Sequence, residues 1–281
     1  MLLINGDCIE EMKSIEDNSV DLIFCDLPYG QTSLKWDVVI PWDDLWRELA
    51  RVKKLNTPIF FTTTTKFGIQ IINSAPKKIP FRYDIVWVKS SNSGFLTAKK
   101  MPMRKHEMIY VFYEKLPLYD LSSHSHKFIK ESVNKRYGKD GVDNKDHIKN
   151  RSKVEIQTSY DPPLPVSVLA DTIYGGTCNG ETNSDTEYRK LGRKNGEPAY
   201  EPALPNSIIN VKSVRGNHST EKPVELIKWI LKYYSKEGDV VLDPTCGSGS
   251  SGVACIEMSR DYIGIEKDEE IFKVAKSRLN I

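Results

Sequence analysis

Long apolar runs are missing from this sequence of 281 residues: none approaches the roughly 20 apolar positions in a row that a bilayer-crossing helix needs. Met1 to Gly6 leads to Asp7 without a basic leader, so the expectation is an unexported, cytoplasmic chain with no membrane partner. Cysteine is scarce. The five present, Cys8, Cys25, Cys178, Cys246 and Cys255, are odd in number and none falls in a C-x-x-C or other metal spacing, which argues against a disulfide framework and a zinc site and for reduced thiols. Histidine is also scarce, and His124 and His126, two apart in a serine-rich stretch without acids or cysteines, read as a surface loop; no metal is expected. No internal repeat is present, and with 39% apolar and 28% charged residues the chain is neither fibrous nor disordered.

What is present is unevenly distributed. The net charge is only +2, but Lys89 to Lys153 holds 15 lysines and arginines against 7 aspartates and glutamates, a surplus of 8 that leaves the rest at −6. Such a stretch is more often a solvated face than a binding surface, and alone it only permits a polyanionic partner.

Seven short apolar runs read as buried strands: Leu2 to Asn5, Asp21 to Cys25, Pro58 to Thr62, Tyr83 to Lys89, Glu107 to Tyr113, Asp239 to Asp243 and Tyr262 to Glu266. Helical patterns intervene. Pro41 to Leu55 opens with proline and acids, and Pro223 to Ser235, after the capping candidates Ser219 and Thr220, puts Val224, Ile227, Ile230, Leu231 and Tyr234 on one face. The alternation predicts an α/β fold with a mostly parallel sheet and helices on both faces. From about Glu114 to Lys212 the rhythm breaks into polar clusters such as Tyr160 to Pro165 and Tyr174 to Gly180, too long for a loop, and the stretch reads as an inserted module.

Asp243-Pro244-Thr245-Cys246-Gly247-Ser248-Gly249-Ser250-Ser251-Gly252 lies between a strand and a helix. Its glycines permit a sharp turn and close backbone approach, and the following helix start favours an anionic group. Glu266 ends the next strand, where a carboxylate can accept hydrogen bonds from ribose hydroxyls. The order of elements implies a nucleoside cofactor. Gly247-x-Gly249-x-x-Gly252 also satisfies the dinucleotide fingerprint, so a nicotinamide or flavin oxidoreductase is a rival, and a glycine-rich turn without ligand is the plainer alternative.

A second motif, Asp26-Leu27-Pro28-Tyr29, follows the strand Val20 to Cys25 and so sits at the strand's carboxyl end, where open α/β sheets bind ligands. Its composition suits an exocyclic amino group on a base. Adenine N6 is a poor nucleophile because its lone pair is delocalised into the ring. The Asp26 carboxylate and the carbonyl of Leu27 or Pro28 can each accept an N6 hydrogen, drawing the nitrogen towards tetrahedral geometry, with in-line placement against a sulfonium methyl supplying the rest. Proline has no N–H to repel the donor. Tyr29 can stack on a base extracted from the duplex. Taken alone, the motif also reads as a strand-ending turn with Asp capping and Tyr packing.

Together the two motifs resemble the amino-methyltransferase family of DNA-modifying enzymes. Asp26, Leu27, Pro28 and Tyr29 look like its catalytic signature, which usually reads Asp-Pro-Pro-Tyr, and Asp243 to Gly249 looks like its cofactor loop. Asn5-Gly6-Asp7-Cys8 resembles the adenosine-contacting segment, Arg104-x-His106-Glu107 a recurrent sheet edge, and His218-Ser219-Thr220-Glu221-Lys222-Pro223 the segment that helps hold the methionine end. With the catalytic motif first and the cofactor loop last, the order is that of the family's beta group.

The resemblance implies a Rossmann-like, seven-stranded sheet split into 1–113 and 214–281 around a target-recognition region at 114–213. It implies S-adenosylmethionine as cofactor, with Asp7, Cys8, Asp26, His218, Thr220, Lys222, Asp243, Thr245, Cys246, Gly247, Gly249 and Glu266 in its site. It implies double-stranded DNA as partner and a homodimer. The strands at Asp239 and Tyr262 should lie beside that at Leu2, with the catalytic strand on the far side of the Asp239 strand. Leu27 departs from the usual proline and makes the turn less rigid.

The reading is methyl transfer to adenine N6. N4 of cytosine is the nearest rival, though the family's cytosine enzymes more often carry Ser or Thr at position 26. RNA as substrate, and a non-catalytic nucleic-acid-binding partner subunit, are further alternatives. Cys246 reads as a packing or backbone contact rather than a nucleophile. Trp36, ahead of Asp37, is either a packed anchor or a base-stacking residue.

Overall fold

Every side chain of Leu22–Cys25 is buried, and alternate residues enter different clusters, Leu22 and Phe24 in one, Ile23 and Cys25 in the other. That is the mark of a strand covered on both faces. The computed structural model describes residues 1–31, 37–93, 99–100, 103–123, 208–211 and 221–281. In chain order the elements are β1 (Leu2–Asn5), α1 (Cys8–Met12), β2 (Leu22–Cys25), α2 (Trp42–Val52), β3 (Ile59–Thr63), α3 (Thr65–Ser74), β4 (Phe81–Ser93) and β5 (Arg104–Phe112). Then follow β6 (Ile208–Asn210), α4 (Val224–Tyr234), β7 (Val240–Asp243), α5 (Ser250–Glu257), β8 (Asp261–Glu266) and α6 (Glu269–Leu279).

All seven expected strands are present, and among the described residues one sheet runs β1-β8-β7-β2-β3-β5-β4-β6. The count is corrected to eight by β6, which pairs parallel with β4 through Ile208 to Asn210. β1, β8, β7, β2 and β3 are parallel, in the neighbour order expected, and β5 runs antiparallel to both β3 and β4. Leu45, Leu49, Phe67 and Ile71 from α2 and α3 cover one face, and Leu226, Ile230, Ala254 and Cys255 from α4 and α5 cover the other.

Local chemistry fixes the ends of the helices. Asp7 caps α1 by accepting from Ile9 N at 3.0 Å, and Asp268 caps α6 by accepting from Glu270 N and Ile271 N. At α4 the cap is Pro223, without a side-chain hydrogen bond; Ser219 and Thr220 lie outside the described residues. Two stretches expected in the insertion belong to the sheet unit, which comprises Met1–Leu121 and Ser207–Ile281. β6 is one. The other is 114–121, where Lys53 pairs with Glu114 at 2.9 Å and Tyr119 packs on Tyr234.

Candidate active site

The parallel strands deliver their carboxyl ends to one rim. Pairing of Asn5 with Glu266, and of Asp243 with Gly264, sets the end of β1 and the ends of β7 and β8 side by side, and Asp26 follows the last residue of β2. Because β5 is antiparallel, it is its beginning that reaches this rim, with Met108 opposite Thr63 and Glu107 one residue earlier.

Asp26 sits at the centre of a polar cluster. Its Oδ1 accepts from the Thr62 hydroxyl, and the Tyr29 hydroxyl lies 3.3 Å from the same oxygen and 3.4 Å from Thr62 Oγ1. Its Oδ2 accepts from Lys222 Nζ at 2.8 Å. Lys222 is 9% exposed. Burial alone would pull its ammonium towards neutrality, but Asp26, Tyr29 and Glu107 outweigh that and hold its pKa above the ordinary lysine value. Tyr29 is pushed above the ordinary phenol range by burial, so it stays neutral, with its ring 4.8 Å from that of Phe67. Leu27 is 4% exposed and belongs to the core, so burial anchors the turn where the usual proline would stiffen it. Just beyond, Gly30 adopts φ +63°, and the buried Asp37 carboxylate accepts from Gly30 N at 2.7 Å and Gln31 N at 2.8 Å. Trp36 lies outside the described residues.

The glycine loop forms a second cluster. Gly247 N donates to Glu266 Oε2 at 2.9 Å and Asp268 N to Oε1 at 2.8 Å, while Cys246 N donates to Ile265 O, so the loop is tied to the end of β8. Gly247 has φ +53° and Gly249 +80°, left-handed conformations that glycine adopts without steric cost. A Cβ on Gly247 would meet nothing within 4 Å, which leaves an open cradle beside Glu266. Burial raises the Glu266 carboxyl above its usual range. Asp243 is buried too; it accepts from Thr245 N at 3.1 Å and from the Ser251 hydroxyl, yet burial carries its pKa to about 7. The Cys8 thiol is pushed up to about 12 and that of Cys246 well above its ordinary value, both mainly by burial, so neither is a ready thiolate. Asp7 faces Lys267 at 3.0 Å.

One contact joins the clusters: Thr245 Oγ1 donates to the carbonyl of Asp26 at 3.1 Å. The structure thus brings Asp26, Tyr29, Lys222, Asp243 and Thr245 together around the catalytic turn, and Gly247 and Glu266 around the cradle. His218 and Thr220 lie outside the described residues. Lys222, expected at the cofactor, is found on Asp26. Residues with no role assigned from sequence also contribute. Thr62 holds Asp26, and Glu221 binds Ser250 Oγ and Arg278, while Arg278 also reaches Ser248, so the segment before α4 is clamped to the loop. The run Thr62 to Thr65 at a strand end was the visible signal for Thr62; Arg278 had none. The cradle fits a ribose-bearing ligand, since each Glu266 oxygen accepts one backbone hydrogen bond and a carboxylate offers about four acceptor sites.

Residues 20–277 match a family model described as DNA methylase. The DNA adenine methyltransferase YhdJ of Escherichia coli (strain K12) is 27% identical over 294 residues, covering 99% of this chain and 82% of that protein. The type II methyltransferase M.HindIII of Haemophilus influenzae is 26% identical over 316 residues, covering 99% and 95%. Among solved structures, the M1.HpyAVI-SAM complex superposes with a TM-score of 0.58 at 18% identity, covering 100% of this chain and 99% of that one. The cytosine-N4-specific PvuII DNA methyltransferase superposes with 0.59 at 13% identity, covering 98% and 85%.

Proposed function

The chain belongs to the N6/N4 DNA methylase family, and we propose that the base it methylates is adenine, at N6, in double-stranded DNA. As a member it is a DNA methyltransferase dependent on S-adenosylmethionine. The observation that carries the adenine reading is the carboxylate at position 26, placed at the carboxyl end of β2 and joined to the glycine loop through Thr245. One relative adds support, since YhdJ bears an adenine name and matches over nearly the whole chain; the cytosine-specific PvuII enzyme shares the fold, so fold alone does not choose the base.

S-adenosylmethionine supplies an electrophilic methyl group on a sulfonium sulfur. In this reading Glu266 would accept from its ribose hydroxyls, Asp7 and Cys8 would border the adenosine, the backbone at Gly247 and Gly249 would lie against it, and Asp243, His218 and Thr220 would attend its amino-acid end, while Lys222 serves Asp26. Asp26 accepts one hydrogen of the target amino group. Its own carbonyl is occupied by Thr245, which leaves the carbonyls of Leu27 and Pro28 for the second. The two acceptors draw the nitrogen lone pair out of the ring and stabilise the positive charge that grows as the N–C bond forms and the methyl–sulfur bond breaks, its electron pair going to sulfur. Asp26, already bonded to that proton, is placed to receive it. Tyr29 stacks on the extruded base, backed by Phe67.

The part of the expected insertion outside the sheet unit, residues 122–206, supplies target recognition in the same reading, with basic side chains on phosphates and polar ones on base edges. The free, buried cysteines among the described residues fit work in the cytoplasm, and the homodimer rests on family resemblance. Modification-sensitive sequencing of DNA from cells expressing the chain tests the base: methyl marks on adenine N6 at a fixed site are expected, and marks on cytosine N4 overturn the reading.

A further inference from the structure

Glu107 stands where the catalytic machinery and the sheet meet, yet its carboxylate is only half engaged. Oε1 pairs with Lys89, while Oε2 is buried with no hydrogen-bond partner among the described residues and lies 3.7 Å from Lys222 Nζ. A buried carboxylate oxygen without a donor is costly, so its place in the fold needs a reason. Lys222 supplies one. Its ammonium bonds Asp26 Oδ2 at 2.8 Å and faces Glu107 across the remaining gap, so one buried cation is shared between two carboxylates. Meanwhile Oδ1 of Asp26 is engaged by Thr62 and approached by Tyr29. A target nitrogen arriving at Asp26 therefore meets a carboxylate whose Oδ1 has two donors beside it and whose Oδ2 faces a competing ammonium, which partly cancels its negative charge.

We propose that Glu107 is a positioning residue for methyl transfer: as the target amino group engages Asp26, Lys222 moves from Asp26 Oδ2 onto Glu107 Oε2. The move frees an acceptor oxygen and restores the charge of Asp26 just where a nitrogen becomes positive. It also gives Glu107 Oε2 its missing donor. Lys222 stays an ammonium throughout, since both resting places are carboxylates, and needs to travel only a fraction of its side-chain reach. The inference rests on the assignment of Asp26 to the target amino group and is independent of whether the base is adenine or cytosine.

The test uses the full-length protein, labelled S-adenosylmethionine and methylation-free plasmid DNA, counting label in any base under single-turnover conditions. Glu107→Gln keeps the size and removes the charge; the transfer rate should fall about tenfold or more while the dissociation constants for cofactor and DNA stay within about twofold. In a Lys222→Met background the same change should have no further effect on the transfer rate, because Glu107 then has no Lys222 ammonium to receive. A transfer rate within twofold of the parent, a loss confined to cofactor or DNA affinity, or effects of the two substitutions that simply multiply would each overturn the proposal. Should the Gln protein lose its fold, Glu107→Asp decides by the same measurements: a smaller loss in the parent and none beside Lys222→Met is expected. Transfer that survives Asp26→Ala would instead defeat the underlying assignment.

Discussion

At Asp26 binding and chemistry should separate. Asp26→Ala removes the acceptor for the target amino group but leaves Lys222 facing Glu107, so the buried cation keeps a counter-charge and the fold should hold. Cofactor affinity should be largely kept and methyl transfer lost. Asp26→Asn keeps one acceptor oxygen without the charge and should lose about a hundredfold or more in rate. Transfer of labelled methyl groups, with cofactor binding measured by calorimetry on the same proteins, checks both. Asp243 offers a pH signature instead. Burial holds its folded pKa near 7 against 3.8 for an unburied aspartate, so between those values the native state retains a proton that the unfolded chain has released. Stability contributed at this site therefore falls as pH rises from about 4 to about 7. Asp243→Asn carries no such dependence. Urea midpoints should show the variant gaining on the parent as pH rises through that window, and a constant gap would contradict the assignment.

Elements were legible in the sequence where burial is continuous and opaque where it is brief. β2 and β7, all or mostly apolar, announce themselves, and each of the seven expected strands lies within a few residues of its observed bounds. β6 has three residues at the end of a polar stretch, too few to show a period, and only its pairing with β4 makes it a strand. The catalytic turn and glycine loop were readable because each is contiguous. Thr62 and Arg278 were not assigned, and Glu107 was read only as part of a sheet edge, because their partners are 36, 57 and 115 positions away, counted to Asp26, Glu221 and Lys222. Gly252 shows how tightly such long-range packing is set. A Cβ there would stand 2.8 Å from Leu279 Cδ2 and 2.9 Å from Tyr262, wedging α5 away from α6 and β8. Gly252→Ala should cost about 1–3 kcal/mol in denaturant unfolding and weaken cofactor binding through the displaced loop.

For the whole molecule, the basic stretch is the feature most open to a thermodynamic check. Lys99, Lys100, Arg104 and Lys105 are exposed near the start of β5, which reaches the catalytic rim. Neutralising them should weaken binding to all DNA sequences alike and flatten its salt dependence by about one unit of slope for each phosphate contact removed. An unchanged slope would mean a solvated face. The β1–β8 pairing has a separate consequence. Leu2 sits in register with Ile263, and Gly6 N bonds Glu266 O, across some 260 positions. During synthesis β1 must wait for some 260 further residues before it finds its neighbour, and the rim beside Glu266 is assembled from segments translated far apart in time. Contacts so distant close slowly, so cofactor-binding competence should be among the last properties this polypeptide acquires as it folds.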